Sequence, residues 1–198
     1  VKATSGCNVL AGPLLAGQPG MRVILLDMPL EPYLATLLKS ETSVADAATA
    51  AAERLQVLVD ASSGVPAVAL HALSLPQQCA MGWLAERLRF QALGRGAHGQ
   101  RVLRVDFETL LGAPAETLAA VADHLGLDAG GTAQAMEAPA WQRYSKAQAH
   151  AYGARDRQHD LALSRERHGA AIGQGVEWVE DFLARHAALR GGLDGGGL

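Results

Sequence analysis

With 198 residues, 49% of them hydrophobic, the chain is long enough for one domain with a core of its own. Its apolar runs are broken at Asp27, Glu53 or Arg87, short of the roughly 18–20 residues that span a bilayer, so no membrane span is expected. A net charge of −3, with acids and bases interleaved, lacks the electrostatic footprint of a nucleic-acid binder.

No basic n-region precedes an apolar h-region, so no signal peptide is read and a cytoplasmic protein is expected. The chain begins at Val1 rather than Met, which reads as a trimmed start or a fragment. Cys7 and Cys79 have neither CxxC partners nor neighbouring histidines. They are expected to be reduced and buried, with no metal site.

In chain order, Val1-Lys-Ala-Thr4 reads as the tail of a buried strand running into a Ser5-Gly6 turn. A short helix follows over residues 8–15, capped by Ser5 or Asn8. Met21-Arg-Val-Ile-Leu-Leu26 is an unalternating apolar run of strand length, the pattern of a parallel sheet covered on both faces. Leu30 to Lys39 has helical spacing, and Ser43 to Val59 is an Ala-rich helix. Ser74 caps a long helix with Pro76 in its first turn, whose inner face is Ala80, Trp83, Leu84, Leu88 and Gln91. Arg101-Val-Leu-Arg-Val105 is a second clear strand, followed by a turn at Asp106. Pro114 opens a helix that stops at Gly126. Trp141 to Tyr152 reads as irregular, and Ala154 to Leu189 as one or two amphipathic helices buried through Ile172, Val176, Val179, Phe182 and Leu183. Residues 191–198 form a Gly-rich tail with too few apolar groups to order itself.

This grammar of strands alternating with helices predicts an α/β fold, a three-layer parallel sheet with a helical C-terminal extension. In open parallel sheets ligands bind beyond the carboxyl ends of the strands. Those ends carry Lys2, Thr4 and Ser5, then Asp27 and Met28, then Asp106 and Glu108. Plain structural roles stand beside the functional ones. Lys2 suits a solvated terminal residue, Thr36 a hydroxyl bonded back to its own helix, and Glu108 a helix-start acid. Arg143 and Lys146, with Ser145 between them and no acidic neighbours, suit an anionic ligand or a solvated loop. None of the seven histidines has a catalytic Asp or Ser at useful spacing. The patterns GxxxxGK[ST], GxGxxG, HExxH, GxSxG and the EF-hand loop are absent.

Two stretches resemble the sulfotransferase family, P-loop-like enzymes that move a sulfuryl group from 3′-phosphoadenylyl sulfate to an acceptor. The first runs from Val1-Lys-Ala-Thr-Ser-Gly through Met21-Arg-Val-Ile-Leu-Leu-Asp-Met-Pro-Leu-Glu-Pro-Tyr-Leu-Ala-Thr36. The second is Arg101-Val-Leu-Arg-Val-Asp-Phe-Glu-Thr-Leu-Leu-Gly-Ala-Pro with the following helix to Leu127. Arg143-Tyr-Ser-Lys146 is similar to a segment of a bacterial sulfotransferase-like subgroup.

The resemblance implies a domain over residues 1–190 that lacks the family's first strand and phosphate loop. It implies 3′-phosphoadenylyl sulfate as co-substrate without a metal, and a hydroxyl or amine small-molecule acceptor. Lys2 matches the lysine beside the transferring group, and Thr36 the serine that holds the 3′-phosphate. Thr4, Ser5, Arg143, Ser145 and Lys146 would complete the cofactor site. Met28 stands where the pattern has an arginine, and Thr4 where it has a histidine base. A catalytically inert nucleotide-binding relative, or a helical interaction protein, is the alternative the same residues leave open.

Overall fold

The structure is a computed structural model and describes residues 5–61, 69–128, 130–138, 143–144, 147–190 and 193. A 3-10 turn over Ser5–Leu10 leads into α1 (Ala11–Gly17), β1 (Val23–Asp27), α2 (Leu30–Leu38), α3 (Glu41–Thr49) and α4 (Ala51–Ala61). The long α5 (Leu75–Arg95) leads to β2 (Val102–Asp106), α6 (Phe107–Gly112), α7 (Pro114–Leu125) and α8 (Gly130–Met136). A small ladder of β3 (Arg143–Tyr144) and β4 (Ala147–Ala151) precedes α9 (Ala154–Arg185) and α10 (Ala187–Arg190).

The expectation of a three-layer parallel α/β sheet is overturned: the fold is mostly helical. Among the described residues β1 pairs only with β2, parallel and in register from Val23↔Val102 to Asp27↔Asp106. β3 and β4 form a separate antiparallel pair. The strand expected at Val1–Thr4 lies outside the described residues. The apolar run of β1 was read as covered on both faces, but Leu25 is buried while Ile24 and Leu26 are 37% and 52% exposed. Apolar side chains without alternation report β propensity, not how many layers lie over them.

The core sits among helices. Its centre is α5, buried on every side from Cys79 to Ala85 and packed by α2, α3, α4 and α9. Reading one stripe along α5 therefore understated its burial. Its start is fixed by a capping box, in which the Ser74 hydroxyl accepts from the Gln77 amide and the Gln77 side chain accepts from the Ser74 amide at 3.0 Å. The Ala-rich stretch, read as one helix, is two helices that bend at Ala50. The first starts at Ser40, whose hydroxyl accepts from the Ser43 amide. The bend keeps Ala47 and Ala51 both buried, where small side chains let α3 and α4 approach α5 closely.

Helix α9 spans 32 residues and closes the other side. At Gly175 its backbone lies so near α2 and α5 that a Cβ would stand 2.8 Å from a Leu34 methyl and 3.2 Å from the Pro76 carbonyl. Ser164 donates to the Ala35 carbonyl at 2.5 Å. Arg165 grips Glu31 through two bonds of 2.6 and 2.8 Å, and Lys39 meets Asp160 at 2.8 Å. Leu193, in the stretch read as an unordered tail, is buried against the same core; the residues around it lie outside the described set. At the far edge Arg101 donates to the carbonyls of Leu15, Gln18 and Pro19, tying the end of α1 to the start of β2. Cys79 is buried as expected, whereas Cys7 is exposed.

Trp83 illustrates how α5 holds the sheet. It is 4% exposed, and its indole N–H donates to the Met28 carbonyl at 2.8 Å. Trp83→Ala should cost about 3–5 kcal/mol in denaturant melts, from lost burial plus an orphaned carbonyl. A loss under about 1 kcal/mol would place the ring outside the core.

The pairs that fasten α9 also predict an acid limb. The Arg165 guanidinium holds the Glu31 carboxyl below its usual range, and the Lys39 ammonium does the same for Asp160. A depressed folded pKa contributes stability above the unfolded pKa, lost as pH falls through the folded one. Both carboxylates are more than a third exposed, so screening leaves a few tenths of a kcal/mol each. Melting temperatures at pH 6 and pH 3 should therefore differ less in a Lys39→Ala/Arg165→Ala variant than in the parent. An equal drop would show that the pairs contribute nothing.

Candidate functional site

Because β1 and β2 run parallel and in register, both deliver their last residues to one end of the sheet. Asp27 ends β1 on the face toward α5 and is 8% exposed. One carboxylate oxygen accepts from the Met28 amide at 2.8 Å. The other accepts from Arg87 of α5 and, at 2.5 Å, from Arg104 of β2. Parallel register explains the Arg104 contact: Arg104 lies opposite Leu25, two residues before Asp27, so both side chains leave the same face. Arg87 is 3% exposed and lies 4.9 Å from the centre of the Trp83 ring, one helical turn earlier. Burial pulls the Arg87 pKa down from its usual value, and the Asp27 charge opposes that shift. The two peptide units that flank Met28 are thus both held, the N–H of one by Asp27 and the carbonyl of the other by Trp83.

Asp106, the register partner of Asp27, caps α6 by accepting from the Thr109 amide at 2.7 Å and the Thr109 hydroxyl at 3.0 Å. Glu108 in the first turn of α6 accepts from Arg157 at 2.6 Å. Arg157 comes from the first turn of α9, 129 residues beyond Met28, and its guanidinium lies 4.6 Å from the centre of the Phe107 ring and 3.7 Å from the Met28 sulfur. Helix α2 starts beside this cluster at Pro29 without a side-chain cap.

No family model, curated protein or solved structure matches the chain.

Of the residues the sequence put forward, Lys2, Thr4, Ser145 and Lys146 lie outside the described residues. Ser5 opens the first 3-10 turn and Arg143 begins β3; the placement of their side chains is likewise outside what is described. Thr36 donates its hydroxyl to the Pro32 carbonyl at 2.8 Å, the back-bonded role weighed beside the phosphate-binding one. Glu108 is a helix-start acid and also the partner of Arg157. Asp27 and Met28 were flagged as a strand end, but the convergence of Arg87, Arg104 and Arg157 on them was missed. Arg104 left a signal, a cation set between the apolar residues Leu103 and Val105 of the strand. Arg157 left none, because no spacing rule links residues so far apart.

Among the described residues no three His, Cys, Asp or Glu groups gather where they could hold a metal, and no helix is long and apolar enough to cross a membrane. A second ionic cluster lies inside the helical body, where Arg54, Glu86 and Arg89 meet beside Gly82. Burial there pushes the Tyr33 hydroxyl up to about 12 and the Cys79 thiol up to about 11, so both stay protonated near neutral pH.

Asp27→Ala should destabilise by about 3–5 kcal/mol, because it leaves Arg87 buried without its carboxylate. Asp106→Ala, which removes a helix cap and a charge that acts on Arg87 without an ion pair to it, should cost about 1 kcal/mol. Equal losses in urea melts would show that the buried pair is no more than a surface contact.

Proposed function

We propose that the chain is a sulfotransferase-like protein that takes 3′-phosphoadenylyl sulfate at the carboxyl ends of β1 and β2. Its sulfuryl group would pass to a hydroxyl or amine acceptor. What supports this most is that the two strands of the resemblance pair parallel and in register, with the Arg157 guanidinium beside Met28. Met28 stands where the family pattern has a cation, and Arg157 supplies one from α9. In the reaction an acceptor oxygen or nitrogen forms a bond to sulfur as the bond from sulfur to the bridging phosphate oxygen breaks. The adenosine bisphosphate leaves with that electron pair, and the acceptor proton is released. A fixed guanidinium near the cofactor phosphates holds the donor in line and offsets its charge.

A second reading, an inert nucleotide-binding relative, is favoured by the charge matching at the strand ends. Arg87 and Arg104 already share Asp27, and Arg157 already holds Glu108. Turnover of 3′-phosphoadenylyl sulfate with a panel of hydroxyl and amine acceptors separates the two.

The binding test is a titration with 3′,5′-adenosine bisphosphate followed through the amide resonances of residues 27–31 and 106–109. Those signals should move in the parent and in Arg155→Ala, an exposed neighbour. In Arg157→Ala the affinity should fall by about 1.5–3 kcal/mol, the scale of a charged hydrogen bond. Identical titrations of the two variants would remove Arg157 from the site. No shift in any of the three would sink the reading itself.

A further inference from the structure

We infer that Glu108 is an internal stand-in for the anion. Its carboxylate holds the position on Arg157 that a sulfuryl or phosphoryl group takes, and the ligand binds by exchanging with it. This inference rests on the proposed anion site at the strand ends.

The two partners are held very differently. The Arg157 side chain is 11% exposed, lies against the Phe107 ring and touches the Met28 sulfur. Its backbone belongs to a 32-residue helix anchored through Gly175, Ser164 and the Arg165–Glu31 pair. The Glu108 side chain is 39% exposed, and it rides on α6, a six-residue helix with no buried residue. The cation is therefore fixed and the carboxylate free to move.

The exchange follows from that difference. A carboxylate that swings from a half-exposed pair into water gives up little, because such pairs are worth about 0–1 kcal/mol. A tetrahedral anion arriving at the same guanidinium accepts two parallel N–H bonds, and a phosphate monoester or inorganic sulfate also carries more charge than a carboxylate. The Arg157 Nε–H is buried and finds no hydrogen-bond acceptor among the described residues. A carboxylate bound at one terminal nitrogen leaves that donor unused, whereas a second ligand oxygen can take it. Met28, uncharged and adjacent, adds no competing acceptor of comparable strength.

Removing a competitor has the opposite sign from removing a structural contact, and that makes the exchange testable. The probes are 3′,5′-adenosine bisphosphate and, in a parallel arm, inorganic sulfate, each titrated into the parent chain, Glu108→Gln and Glu108→Gln/Arg157→Gln. Glutamine keeps the size of the side chain and removes its charge. Glu108→Gln should bind roughly fivefold more tightly than the parent, the factor expected when a competing pair of about 1 kcal/mol is removed, while its melting temperature stays equal or falls slightly. The double variant should lose that gain. A gain confined to the bisphosphate assigns the position to a nucleotide phosphate, and a gain with both probes to any tetrahedral anion. Equal or weaker binding by Glu108→Gln, where the parent binds, overturns the exchange and leaves the anion site standing. Absence of binding by parent and Glu108→Gln alike overturns both.

Discussion

A single carboxylate, Asp27, receives two guanidinium groups inside the protein, and the sheet depends on it. Two paired strands are marginal on their own in water. Here one oxygen of Asp27 bonds an arginine of the neighbouring strand and an arginine of α5, joining β1, β2 and the central helix at one atom. Arg87 is almost fully buried, and an ion there is stable only while its partner is present and well placed. The indole of Trp83 lies beside the same guanidinium and holds the carbonyl of Met28, just past the end of β1. The short sheet therefore draws its order from the helix beneath it rather than from further strands.

The helix is suited to that role because it is itself enclosed. Small residues at Ala80, Gly82 and Ala85 let α4 and α9 approach α5 closely. At Gly82 a Cβ would stand only 3.0 Å from the Arg54 guanidinium, so the glycine makes room for a second buried arginine. At Gly175 the same economy of volume acts from the α9 side. Close packing of this kind transmits position: α9 is set by α2 and α5, and its first turn sets Arg157 against the strand ends.

Local features were legible in the sequence because their causes are local. The Ser74–Gln77 box, the Pro114 start and the Gly126 stop each follow from one or two residues; Gly126 takes a φ of 69°, which glycine adopts without strain. Both main strands were found to within two residues from their apolar runs. The layering was not legible. Val23 to Leu26 has the composition of a strand whatever covers it, and only tertiary contacts leave Leu25 buried with Ile24 and Leu26 in the open. Cys7 was misjudged for the same reason, since a thiol's burial is decided by what packs on it. The site was half legible. Topology pointed to the strand ends, but the cations there come from β2, α5 and α9, whose meeting no periodicity encodes.

The charges at those strand ends constrain any chemistry there. Among the described residues three acids, Asp27, Asp106 and Glu108, face three arginines, Arg87, Arg104 and Arg157, so these charges balance one another. An anionic ligand gains from a balanced cluster only if one acid gives way. Asp27 cannot, because its loss strands a buried guanidinium. Asp106 is committed to the first turn of α6 through two bonds from Thr109. Glu108 is 39% exposed and, among the described residues, is held by one ion pair, to Arg157. The buried acid thus keeps the sheet together, and the exposed one leaves the fixed cation open to exchange.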